Sequence, residues 1–515
     1  MMPAQLESQT VALKILLDDF VQLDEDVYVT EPTVDAREVM QNGLFLAVSG
    51  SHSHGLSFVD QAIQNGVGAI VYDPAGGGEQ LANNIAEKCS IKLIPLANLN
   101  AHISDIASRF YNQPSSQLPV IGITGTNGKT SVSHFISQAF TDDAATCGVI
   151  GTLGWGLLSN LTSTLNTTPD AASVQRQISC LLNDGVAAIA MEVSSHGLNQ
   201  ARVKAVEFKG AIFTNLNHDH LDYHLTLEAY GQAKLALFKS PSLEFVVLNA
   251  DDVFSNEIIE VLSPTIEVFS YSRLIDSLGR SFIMSNEKQT ASGLSFDVKF
   301  DGEFAHIESS LFGRFNIDNL TATMASLVAM GVSFQEAVEK IQQITSVLGR
   351  MQKVSLFPTC PTVIVDYAHT PDALKLALSS LREHCSGKLL VVFGCGGNRD
   401  AAKRPMMGAI AADMADEVII TNDNPRLENA EDIAAQITAD ITSSAHVETI
   451  LDRTQAIQHA IRSANSDDII LVAGKGHETY QLIGDERFIF SDIACVKSAL
   501  KSRVLTDTGD SGCAS

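Results

Sequence analysis

The chain has 515 residues, of which 45% are hydrophobic and 18% charged, and its formal net charge is −26 at pH 7. This length exceeds what one hydrophobic core usually supports, and the composition is typical of a globular protein rather than a disordered one. So acidic a chain argues against general binding to nucleic acid, which requires a basic face. A site for an anionic ligand must therefore supply its own positive charge from side chains, backbone N–H groups or a metal ion.

The cysteines and the apolar segments indicate a reducing, aqueous compartment. Eight cysteines are spread along the chain without a C-x-x-C pair, as expected for reduced thiols. Residues 1–10 lack a basic segment followed by an apolar stretch, so we expect no secretory signal. Apolar runs such as Val186–Met191 have the length of a strand and are too short to cross a membrane. We predict a cytoplasmic monomer that acts on small molecules and neither binds nucleic acid nor inserts into membranes.

Strand and helix patterns alternate along the chain and predict an α/β fold of three domains. Residues 1–115 contain apolar strands at Gly43–Val48 and Ala69–Tyr72, with a helix around Phe58–Gln64, and end in a polar turn cluster. Residues 116–347 and 348–505 each alternate strands with helices, which is typical of mainly parallel sheets covered on both faces. Residues 506–515 resemble a flexible tail. The predicted strands of the second and third domains are Val120–Ile123, Ala187–Met191, Ala211–Phe213, Phe245–Leu248, Thr362–Val365, Leu389–Phe393, Glu417–Thr421 and Ile469–Ala473.

A glycine-containing loop between a predicted strand and a helix is a candidate phosphate site. Its residues are Gly125, Thr126, Asn127, Gly128, Lys129, Thr130 and Ser131. The glycines let backbone N–H groups converge on an anion, Lys129 can reach terminal phosphates, and the Thr130 hydroxyl is placed to bind Mg²⁺. The loop matches the G-K-[ST] end of the general motif, but Ile123 stands where that motif has glycine. Taken alone, the loop leaves kinase, nucleotide switch, motor ATPase and ligase open.

Carboxylates and histidines follow the next two predicted strands. Glu192 comes directly after Ala187–Met191, at the edge where parallel sheets bind ligands, so it is a candidate Mg²⁺ ligand. A carboxylate that caps the following turn fits Glu192 equally well. The strand Ala211–Phe213 runs into a segment that contains His218, Asp219, His220, Asp222 and His224. Packing alone does not explain so many titratable groups, although a solvated acidic turn remains open for Asp222 and His224.

Taken together, three blocks resemble the signature segments of the Mur ligases, the ATP-dependent amide-forming enzymes of peptidoglycan synthesis. The blocks are Gly125–Thr130, Glu192–Gly197 and Asp219–Asp222. The resemblance implies that Thr130, Glu192 and His220 hold Mg²⁺. It also implies that Lys234 is carbamylated by CO₂, because a carbamate is an anionic ligand whereas an ammonium group would repel a metal. The implied catalytic residues are Lys129, Glu192, His220 and Lys234.

The resemblance covers nearly the whole chain and implies further ATP contacts. The block Gly313–Asn319 is similar to the family segment that positions adenine, with Asn316 and Asn319 as the implied contacts. The segments Leu348–Met351 and Val365–Pro371 resemble the hinge and the start of the third domain, where Arg350 and Asp366 are expected to reach ATP on domain closure. The implied architecture is an N-terminal UDP-binding α/β domain, a central P-loop ATPase-like domain with a parallel sheet, and a C-terminal Rossmann-like domain.

The first domain is similar to the UDP-binding domain of the family member that adds the third residue of the stem peptide. Two positions depart from that pattern, because Ala36 stands in place of a serine and His54 in place of an aspartate. In the middle domain, hydroxyl groups and Arg202 suit pyrophosphate and carboxylate recognition. The implied contacts with the UDP-linked substrate are Val34, Ala36, Ser51, His52, Ser53, Asn166, Thr167, Thr168, Ser194, Gln200 and Arg202.

Three loops of the third domain, each following a predicted strand, indicate the incoming amine. The segment Asp423-Asn424-Pro425-Arg426 resembles the signature of members that add meso-diaminopimelate rather than lysine. Meso-diaminopimelate carries a second carboxylate at its far end, and guanidinium groups bind carboxylates in a bidentate manner. We therefore expect Arg399 and Arg426 to clamp that carboxylate, and Gly474 and Glu478 to hold the amino-acid head group.

The resemblance thus implies a ligase that uses ATP and Mg²⁺ to join meso-diaminopimelate to UDP-N-acetylmuramoyl-L-alanyl-D-glutamate through an acyl phosphate. The same fold acting on L-lysine is the nearer alternative. A P-loop kinase or nucleotide switch is the more distant one. That alternative leaves the Asp423–Arg426 loop and the Gly474–Glu478 loop without an explanation.

Overall fold

The computed structural model describes residues 9–50, 53–142, 145–274, 278–357, 359–443 and 445–509, except for the side chains of Leu221, Asp222 and residues 506–509. The chain forms two compact units, of which one contains Met1–Ile283 with Thr321–Ala337 and the other Met284–Leu320 with Val338–Ser515. Each of the three predicted segments contains a sheet of mainly parallel strands flanked by helices. The predicted α/β class is therefore confirmed.

The N-terminal part of the first unit is a five-stranded sheet with helices packed on it. Its strands are β1 (Val11–Ala12), β2 (Tyr28–Thr33), β3 (Gly43–Ala47), β4 (Ala69–Tyr72) and β5 (Lys92–Pro95), and its helices are α1 (Leu13–Leu16), α2 (Val59–Gln64), α3 (Gly78–Ala86) and α4 (Ile103–Phe110). The strands lie in sequence order, and β2 to β5 run parallel. Because β3 and β4 are buried along their whole length, they appear in the sequence as continuous apolar runs.

The central part of the first unit is a larger sheet. Its strands are β6 (Val120–Thr124), β7 (Cys147–Gly151), β8 (Gly154–Leu157), β9 (Asn160–Thr162), β10 (Ala188–Glu192), β11 (Phe208–Phe213), β12 (Phe245–Asn249) and β13 (Glu267–Ser272), and its helices are α5 (Lys129–Phe140), α6 (Ala171–Asn183), α7 (Ser195–Asn199), α8 (Leu221–His224), α9 (Leu227–Phe238) and α10 (Phe254–Val261). The strands have the order β13-β12-β11-β6-β10-β7-β8-β9. Strand β6 therefore lies between β11 and β10, so the loops that follow these three strands leave the same edge of the sheet.

Polar contacts join these two parts of the first unit. The Lys204 ammonium donates to Asp105 Oδ2 at 2.8 Å and to the carbonyl of Ala101 at 3.0 Å. The hydroxyls of Ser104 and Ser115 accept hydrogen bonds from backbone N–H groups of residues 205 and 207, each at 3.0 Å. The segment after α7 is thereby tied to α4 and to the end of the N-terminal sheet domain.

The second unit combines a β-hairpin with a parallel sheet. After β14 (Arg280–Thr290), the chain forms β15 (Gly293–Phe300) and β16 (Glu303–Ser309). Helices α11 (Phe315–Ala329) and α12 (Phe334–Gln342) follow, and of these residues Thr321–Ala337 belong to the first unit. The C-terminal elements are β17 (Gln352–Val354), β18 (Thr362–Asp366), α13 (Pro371–His384), β19 (Leu389–Phe393), α14 (Lys403–Met414), β20 (Glu417–Ile420), α15 (Ala430–Thr438), β21 (His446–Thr449), α16 (Arg453–Ser463), β22 (Ile469–Ala473), β23 (Tyr480–Ile483), β24 (Glu486–Ile489) and α17 (Asp492–Gly509). The sheet order is β17-β18-β22-β19-β20-β21, parallel except for β17.

The strands predicted from the sequence are present, with boundaries that coincide or differ by at most three residues. Strand β14, which pairs in parallel with β13, and strands β15 and β16, which pair antiparallel, were not predicted, although the alternation of exposed and buried residues in β16 is the pattern of a half-buried strand. Helix α17 continues to Gly509 and so extends four residues into the segment predicted as a tail, while residues 510–515 lie outside the described residues. Nowhere in the described ranges is a helix both long enough and apolar enough to span a bilayer.

Candidate active site

The predicted phosphate loop connects β6 to α5 and is fixed by a neighbouring loop. Gly125 has a φ of 143°, and a Cβ atom there would lie 1.9 Å from Thr214 Oγ1, so only glycine fits. The Thr214 hydroxyl donates to the carbonyl of Asn127 at 2.6 Å, and the backbone N–H of Thr126 donates to the carbonyl of Asn215 at 2.8 Å. Helix α5 begins after Gly128, whose φ is 90°, without a side-chain cap. The start of this helix therefore carries the partial positive charge that suits an anion.

Two lysine ammonium groups converge on this loop. Lys129 donates to the carbonyls of Gly125 and Thr126 at 2.8 and 2.9 Å, and Lys234 donates to the same Gly125 oxygen at 2.9 Å. Lys234 is only 1% exposed, and its Nζ lies 4.1 Å from the centre of the Tyr230 ring. Burial, and then the charge of Lys129, hold the pKa of Lys234 well below its usual value. The structure thus brings Lys129 and Lys234 together and favours a neutral amine at Lys234.

Glu192 ends β10 as a buried acceptor beside the loop. The hydroxyl of Thr130 donates to Glu192 Oε2 at 2.9 Å. Thr152, which the sequence did not single out, donates its N–H to Oε1 at 2.8 Å and its hydroxyl to Oε2 at 3.0 Å. Thr130 and Glu192 are therefore adjacent oxygen donors of the kind that Mg²⁺ prefers. The described residues contain no group of three or more His, Cys, Asp or Glu side chains that could hold a metal, so substrate or other oxygens would have to complete its coordination.

The histidine-rich segment divides into an exposed and a buried part. His220 has a φ of 53°, and its side chain is 45% exposed, with Nε2 3.5 Å from Asp219 Oδ2. His224 is buried and lies 3.0 Å from the hydroxyl of Ser195 through Nε2. The ring of His196 packs against both histidine rings, with centroids 4.9 Å from His220 and 5.5 Å from His224. His224 thus has a packing role and does not belong to a solvated turn, whereas the side chain of Asp222 lies outside the described part.

The predicted contacts for the UDP-linked substrate in the middle domain form one hydrogen-bonded group. The Thr168 hydroxyl donates to the carbonyl of Glu192 and accepts from the N–H of Ser194, both at 2.9 Å. Arg202 donates to the carbonyl of Thr168 at 2.6 Å and through two nitrogens to Gln200 Oε1 at 3.0 and 2.7 Å. Tyr223, a residue missed in the sequence, accepts hydrogen bonds from the amides of Asn199 and Gln200 at 2.9 and 3.2 Å.

Two predicted residues stand at the rim of this group. The Thr167 hydroxyl lies 3.0 Å from the hydroxyl of Thr152, which links it to the surroundings of Glu192. Asn166 is exposed. Burial lowers the pKa of Arg202, although Asp170 opposes that change. The guanidinium group is therefore partly desolvated before any anion binds to it.

In the N-terminal domain, the departure at His54 has a structural explanation. His54 is buried, its Nδ1 accepts from the N–H of Leu56 at 3.0 Å, and its Nε2 lies 2.8 Å from the carbonyl of Asp73. Because a carbonyl only accepts, this pattern requires the tautomer with hydrogen on Nε2. His54 therefore caps the turn at Gly55–Phe58 as an aspartate would. Of the other predicted contacts, Val34 is half-buried, Ala36 buried and Ser53 exposed, while Ser51 and His52 lie outside the described residues.

The three predicted amine-binding loops follow β19, β20 and β22 at one edge of the C-terminal sheet. Arg426 donates from Nη1 to the carbonyl of Gly397 at 2.8 Å, and Asn424 donates from Nδ2 to Glu478 Oε2 at 3.0 Å. Gly474 has a φ of 111°, and a Cβ atom there would approach Asp423 Oδ2 to 2.8 Å. Arg399 is exposed and Pro425 is buried. The structure thus brings the three loops together, with the two arginines on adjacent loops.

Lys475 links two of these loops and was not singled out in the sequence. Its side chain is fully buried, and Nζ donates to Asn424 Oδ1 at 3.1 Å and to Glu478 Oε2 at 2.8 Å. Burial raises the pKa of Asp423, although Arg453 and Lys475 oppose that change. The Gly-Lys-Gly-His-Glu pattern contained the signal, because a lysine between glycines in a buried loop needs a carboxylate partner.

The remaining predicted ATP contacts have local partners within the second unit. Asp366 accepts hydrogen bonds from the N–H groups of Met351 and Ala368 at 2.7 and 2.8 Å, and burial raises its pKa. The guanidinium group of Arg350 lies 4.8 Å from the centre of the Tyr367 ring. Asn316 donates to the carbonyl of Phe312 at 2.7 Å and accepts from the amide of Asn319 at 2.9 Å. These contacts hold the backbone and leave the roles in ATP binding as predictions.

A phosphate loop at the edge of a parallel sheet, with a buried carboxylate beside it, defines a nucleotide-binding α/β enzyme. Family models match most of the chain: "Mur ligase family, catalytic domain" covers residues 29–111, "Mur ligase middle domain" residues 123–327, and "Mur ligase, glutamate ligase domain" residues 349–476. The chain belongs to the Mur ligase family. It is therefore a ligase, with the three-domain fold of that family, and the resemblance noted in the sequence is confirmed.

Curated relatives and solved structures support this assignment. The chain is 42% identical to the UDP-N-acetylmuramoyl-L-alanyl-D-glutamate–2,6-diaminopimelate ligase of Coxiella burnetii over 93% of this chain and 97% of that protein. The enzyme with the same name from Pseudomonas aeruginosa is also 42% identical, with the same coverage. A solved structure with this name is 31% identical, with a TM-score of 0.70 and coverage of 96% of this chain and 100% of the other. MurF from Acinetobacter baumannii shares the fold at 16% identity, with a TM-score of 0.65 over 96% and 100% of the two chains.

His477 predicts a pH dependence of stability. Burial, and then the charge of Arg350, lower the pKa of His477 from 6.5 to about 4 in the folded chain. As the pH falls from 6.5 towards about 4, the unfolded chain therefore binds a proton that the folded chain does not, and the stability decreases. We expect His477→Gln to weaken this pH dependence, and thermal unfolding across the same range measures it. The control is thermal unfolding at about pH 8, where His477 is neutral in both the folded and the unfolded chain; an unchanged slope below pH 6.5 in His477→Gln would contradict the prediction.

Proposed function

We propose that the chain joins meso-2,6-diaminopimelate to the D-glutamate carboxylate of UDP-N-acetylmuramoyl-L-alanyl-D-glutamate, with hydrolysis of ATP to ADP and phosphate. The observation that carries the choice of amine is the Asp423–Arg426 loop, in which Arg426 is held against the Gly394–Asn398 loop by its hydrogen bond to Gly397. Two arginines on adjacent loops suit an amine with a second carboxylate. The identity of 42% to ligases named for this amine over 93% of the chain supports the same choice.

The first step activates the acid. A carboxylate oxygen of the D-glutamate residue attacks the γ-phosphorus of ATP, and the bond to the β,γ-bridging oxygen breaks, which gives an acyl phosphate and ADP. Two anions must approach each other in this step, so positive charge at the loop lowers the barrier. Lys129 and the N–H groups at the start of α5 supply that charge, with Gly125, Thr126, Asn127, Gly128, Thr130 and Ser131 around the phosphates. Arg202, Gln200, Ser194, Thr168, Thr167 and Asn166 hold the UDP-linked substrate.

Thr130 and Glu192 fit a magnesium ion. They are adjacent oxygen donors, and Glu192 is a buried carboxylate whose other hydrogen bonds come from Thr152. We assign them, together with His220, as the residues that would hold Mg²⁺, which neutralises phosphate charge when bound. Gly151 leaves the space that the Glu192 carboxylate occupies, because a Cβ atom at position 151 would lie 2.1 Å from Glu192 Oε1.

Lys234 fits a carbamate. Its amine is buried, shares an acceptor with Lys129 and has a lowered pKa, so the neutral form that attacks CO₂ is favoured. The nitrogen lone pair forms a bond to the carbon of CO₂ while one C=O π bond breaks, and the nitrogen releases a proton to solvent, which gives an anionic carbamate. The Lys129 ammonium, which opposes protonation of Lys234, is then attracted to an anion.

In the second step, an amine of meso-diaminopimelate attacks the acyl carbon, and phosphate leaves from the tetrahedral intermediate. We propose that Arg399 and Arg426 bind the distal carboxylate, while Asp423, Asn424, Gly474 and Glu478 surround the amino-acid head group and Pro425 shapes the loop. We propose that ATP is also bound by Asn316, Asn319, Arg350 and Asp366. The UDP group is bound in this proposal by Val34, Ala36, Ser51, His52 and Ser53. We further propose domains at residues 1–115, 116–347 and 348–505, and a cytoplasmic monomer.

The phosphorylation step depends on Lys129. We expect Lys129→Ala to lower turnover at least about 100-fold, because the phosphate transfer loses its main cationic group. Release of phosphate in the presence of UDP-dipeptide, ATP and meso-diaminopimelate measures the effect. Lys239→Ala removes an exposed lysine next to α9 and should retain wild-type turnover. Normal turnover by Lys129→Ala would contradict the assignment of the loop, and ATP turnover without an amide product would favour a kinase or a switch.

The choice of amine depends on Arg426. We expect Arg426→Ala to raise the KM for meso-diaminopimelate about 10- to 100-fold, the effect of a lost charged hydrogen bond, with a much smaller change for L-lysine. Steady-state assays of wild type and variant with both amines test this. Arg382→Ala, on the surface of the same domain, is the matched control. A wild-type enzyme that prefers L-lysine would establish the nearer alternative.

The carbamate is testable by labelling. We expect wild-type protein in ¹³C-labelled bicarbonate to show a carbamate ¹³C signal, and Lys234→Gln to lose both the signal and most of the ligase activity. The exposed Lys239, changed to Gln, should alter neither of them. A wild-type spectrum without a carbamate signal, under conditions where the enzyme is active, would refute the modification.

A further inference from the structure

Arg404 stands outside every proposed contact, although it is one of the most buried arginines of the chain. It is the second residue of α14, and its side chain is 1% exposed. Nη1 donates to Glu428 Oε2 at 2.8 Å and to Gln436 Oε1 at 2.7 Å, while Nη2 donates to Glu428 Oε1 at 3.0 Å and to the carbonyl of Gly396 at 3.1 Å. A buried guanidinium with a bidentate carboxylate partner has one fixed geometry. Arg404 therefore connects the loop after β19, the loop after β20 and helix α15.

Glu428 continues this connection into the loop that contains Arg399. Its Oε1 accepts a hydrogen bond from the backbone N–H of Asn398. The side chain of Asn398 in turn accepts from the N–H of Leu427 at 3.1 Å. Arg404 and Glu428 thus connect the loop of Arg399 to the loop of Arg426 through hydrogen bonds.

Both arginines of the proposed clamp lie in backbone that needs such support. Asn398, directly before Arg399, has a φ of 51°, and Arg426 itself has a φ of 52°. Asparagine enters this left-handed region more readily than most residues, whereas arginine is strained there and keeps the conformation only where its surroundings fix it. Arg426 is fixed by hydrogen bonds to the backbone of Leu482 and Gly484, at 3.1 and 2.7 Å. For Asn398, the fixing contacts are Glu428 and Leu427.

The charge of Arg404 is already balanced, so it is unsuited to bind the substrate itself. Glu428 pairs with it in a bidentate arrangement, and the hydrogen bonds from Arg404 lower the pKa of Glu428. The function left to Arg404 is to neutralise Glu428 and to fix the spacing of the two loops. Without Arg404, a carboxylate without its partner would stand beside the proposed site for a dicarboxylic amine.

We propose that Arg404 and Glu428 form a positioning pair that sets the spacing of Arg399 and Arg426 and thereby determines selectivity for an amine with a distal carboxylate over lysine. The inference rests on the proposed function, because it takes these two arginines as the clamp. It follows from the four hydrogen bonds of Arg404 and from the left-handed conformation of Asn398. A misplacement of about 1 Å in such a clamp weakens binding strongly.

A double-mutant cycle on the full-length enzyme tests the pair. The variants are Arg404→Gln, Glu428→Gln and the combination, with Arg382→Gln as control, an exposed arginine of the same domain paired with Asp416. The measurements are kcat, the KM values for meso-diaminopimelate, UDP-dipeptide and ATP, the ratio of kcat/KM for meso-diaminopimelate over lysine, and Tm. If Arg404→Gln fails to fold, Glu428→Gln carries the test, because its side chain is 34% exposed.

We expect each single variant to raise the KM for meso-diaminopimelate about tenfold or more and to lower the selectivity ratio correspondingly, with the other two KM values within about twofold of wild type. The KM of the double variant for meso-diaminopimelate should not exceed that of the more impaired single variant, because the two residues act as a unit. A KM for meso-diaminopimelate that stays at the wild-type value, or a fall in Tm and kcat that leaves the selectivity ratio unchanged, would overturn the inference while the proposed function stands. A wild-type enzyme without ligation of meso-diaminopimelate would overturn both.

Discussion

Two lysine side chains converge on one carbonyl oxygen, and the chemistry proposed for this chain depends on that arrangement. Lys129 and Lys234 both donate to Gly125, and Lys234 does so from a buried position. Two ammonium groups so close together repel each other, and burial adds to the cost of charging the second one. The loop therefore favours either an anionic ligand or a change in the charge of Lys234. Both outcomes suit an enzyme that handles phosphate, and both require the backbone geometry that Gly125 provides.

Positive charge is concentrated in a chain that is otherwise strongly acidic. With a net charge of −26, the protein repels its own anionic substrates at long range. Binding must then come from short-range contacts in partly desolvated pockets, where screening by salt is weak. Arg202 and Lys234 fit this requirement, because Lys234 is buried, Arg202 is half-buried and both have lowered pKa values. The arrangement selects for ligands that match the geometry and disfavours polyanions in general.

Much of the fold was predictable because it obeys the alternation of buried strands and amphipathic helices. The parallel strands β6, β10 and β19 are fully buried, so their apolar runs could be recognised directly. Strands β14 to β16 were missed, because an alternation of polar and apolar residues is less distinct than a continuous apolar run. Parallel strands separated by helices were also expected throughout that segment. Boundaries shifted by a few residues, because hydrogen bonding, and not hydrophobicity, determines where a strand ends.

The candidate site was predictable as a set of chemical groups, but not as a set of contacts. The sequence led to Thr130 and Glu192 and to the arginine loops, yet it contained no signal for Thr152, Tyr223 or Arg404, which act by holding other residues. Such residues are determined by three-dimensional proximity across loops far apart in the chain. His54 shows the opposite case. It replaces the aspartate of the family pattern, yet its Nδ1 atom accepts the hydrogen bond from the N–H of Leu56 and so caps the turn as a carboxylate would.

The polar joint between the N-terminal sheet and the segment after α7 has a consequence for how this protein can change. Lys204, Ser104 and Ser115 couple the proposed UDP-binding domain to the segment that begins with Arg202. Because these contacts involve backbone N–H groups of residues 205 and 207, their geometry does not depend on the side chains at those two positions. A domain transplanted from a relative would have to supply these hydroxyls and this carboxylate, and also the Glu31 partner of Arg176 and the apolar contacts of Ala171 and Ala172. Recombination between family members is therefore constrained at this joint by positions on both sides of it.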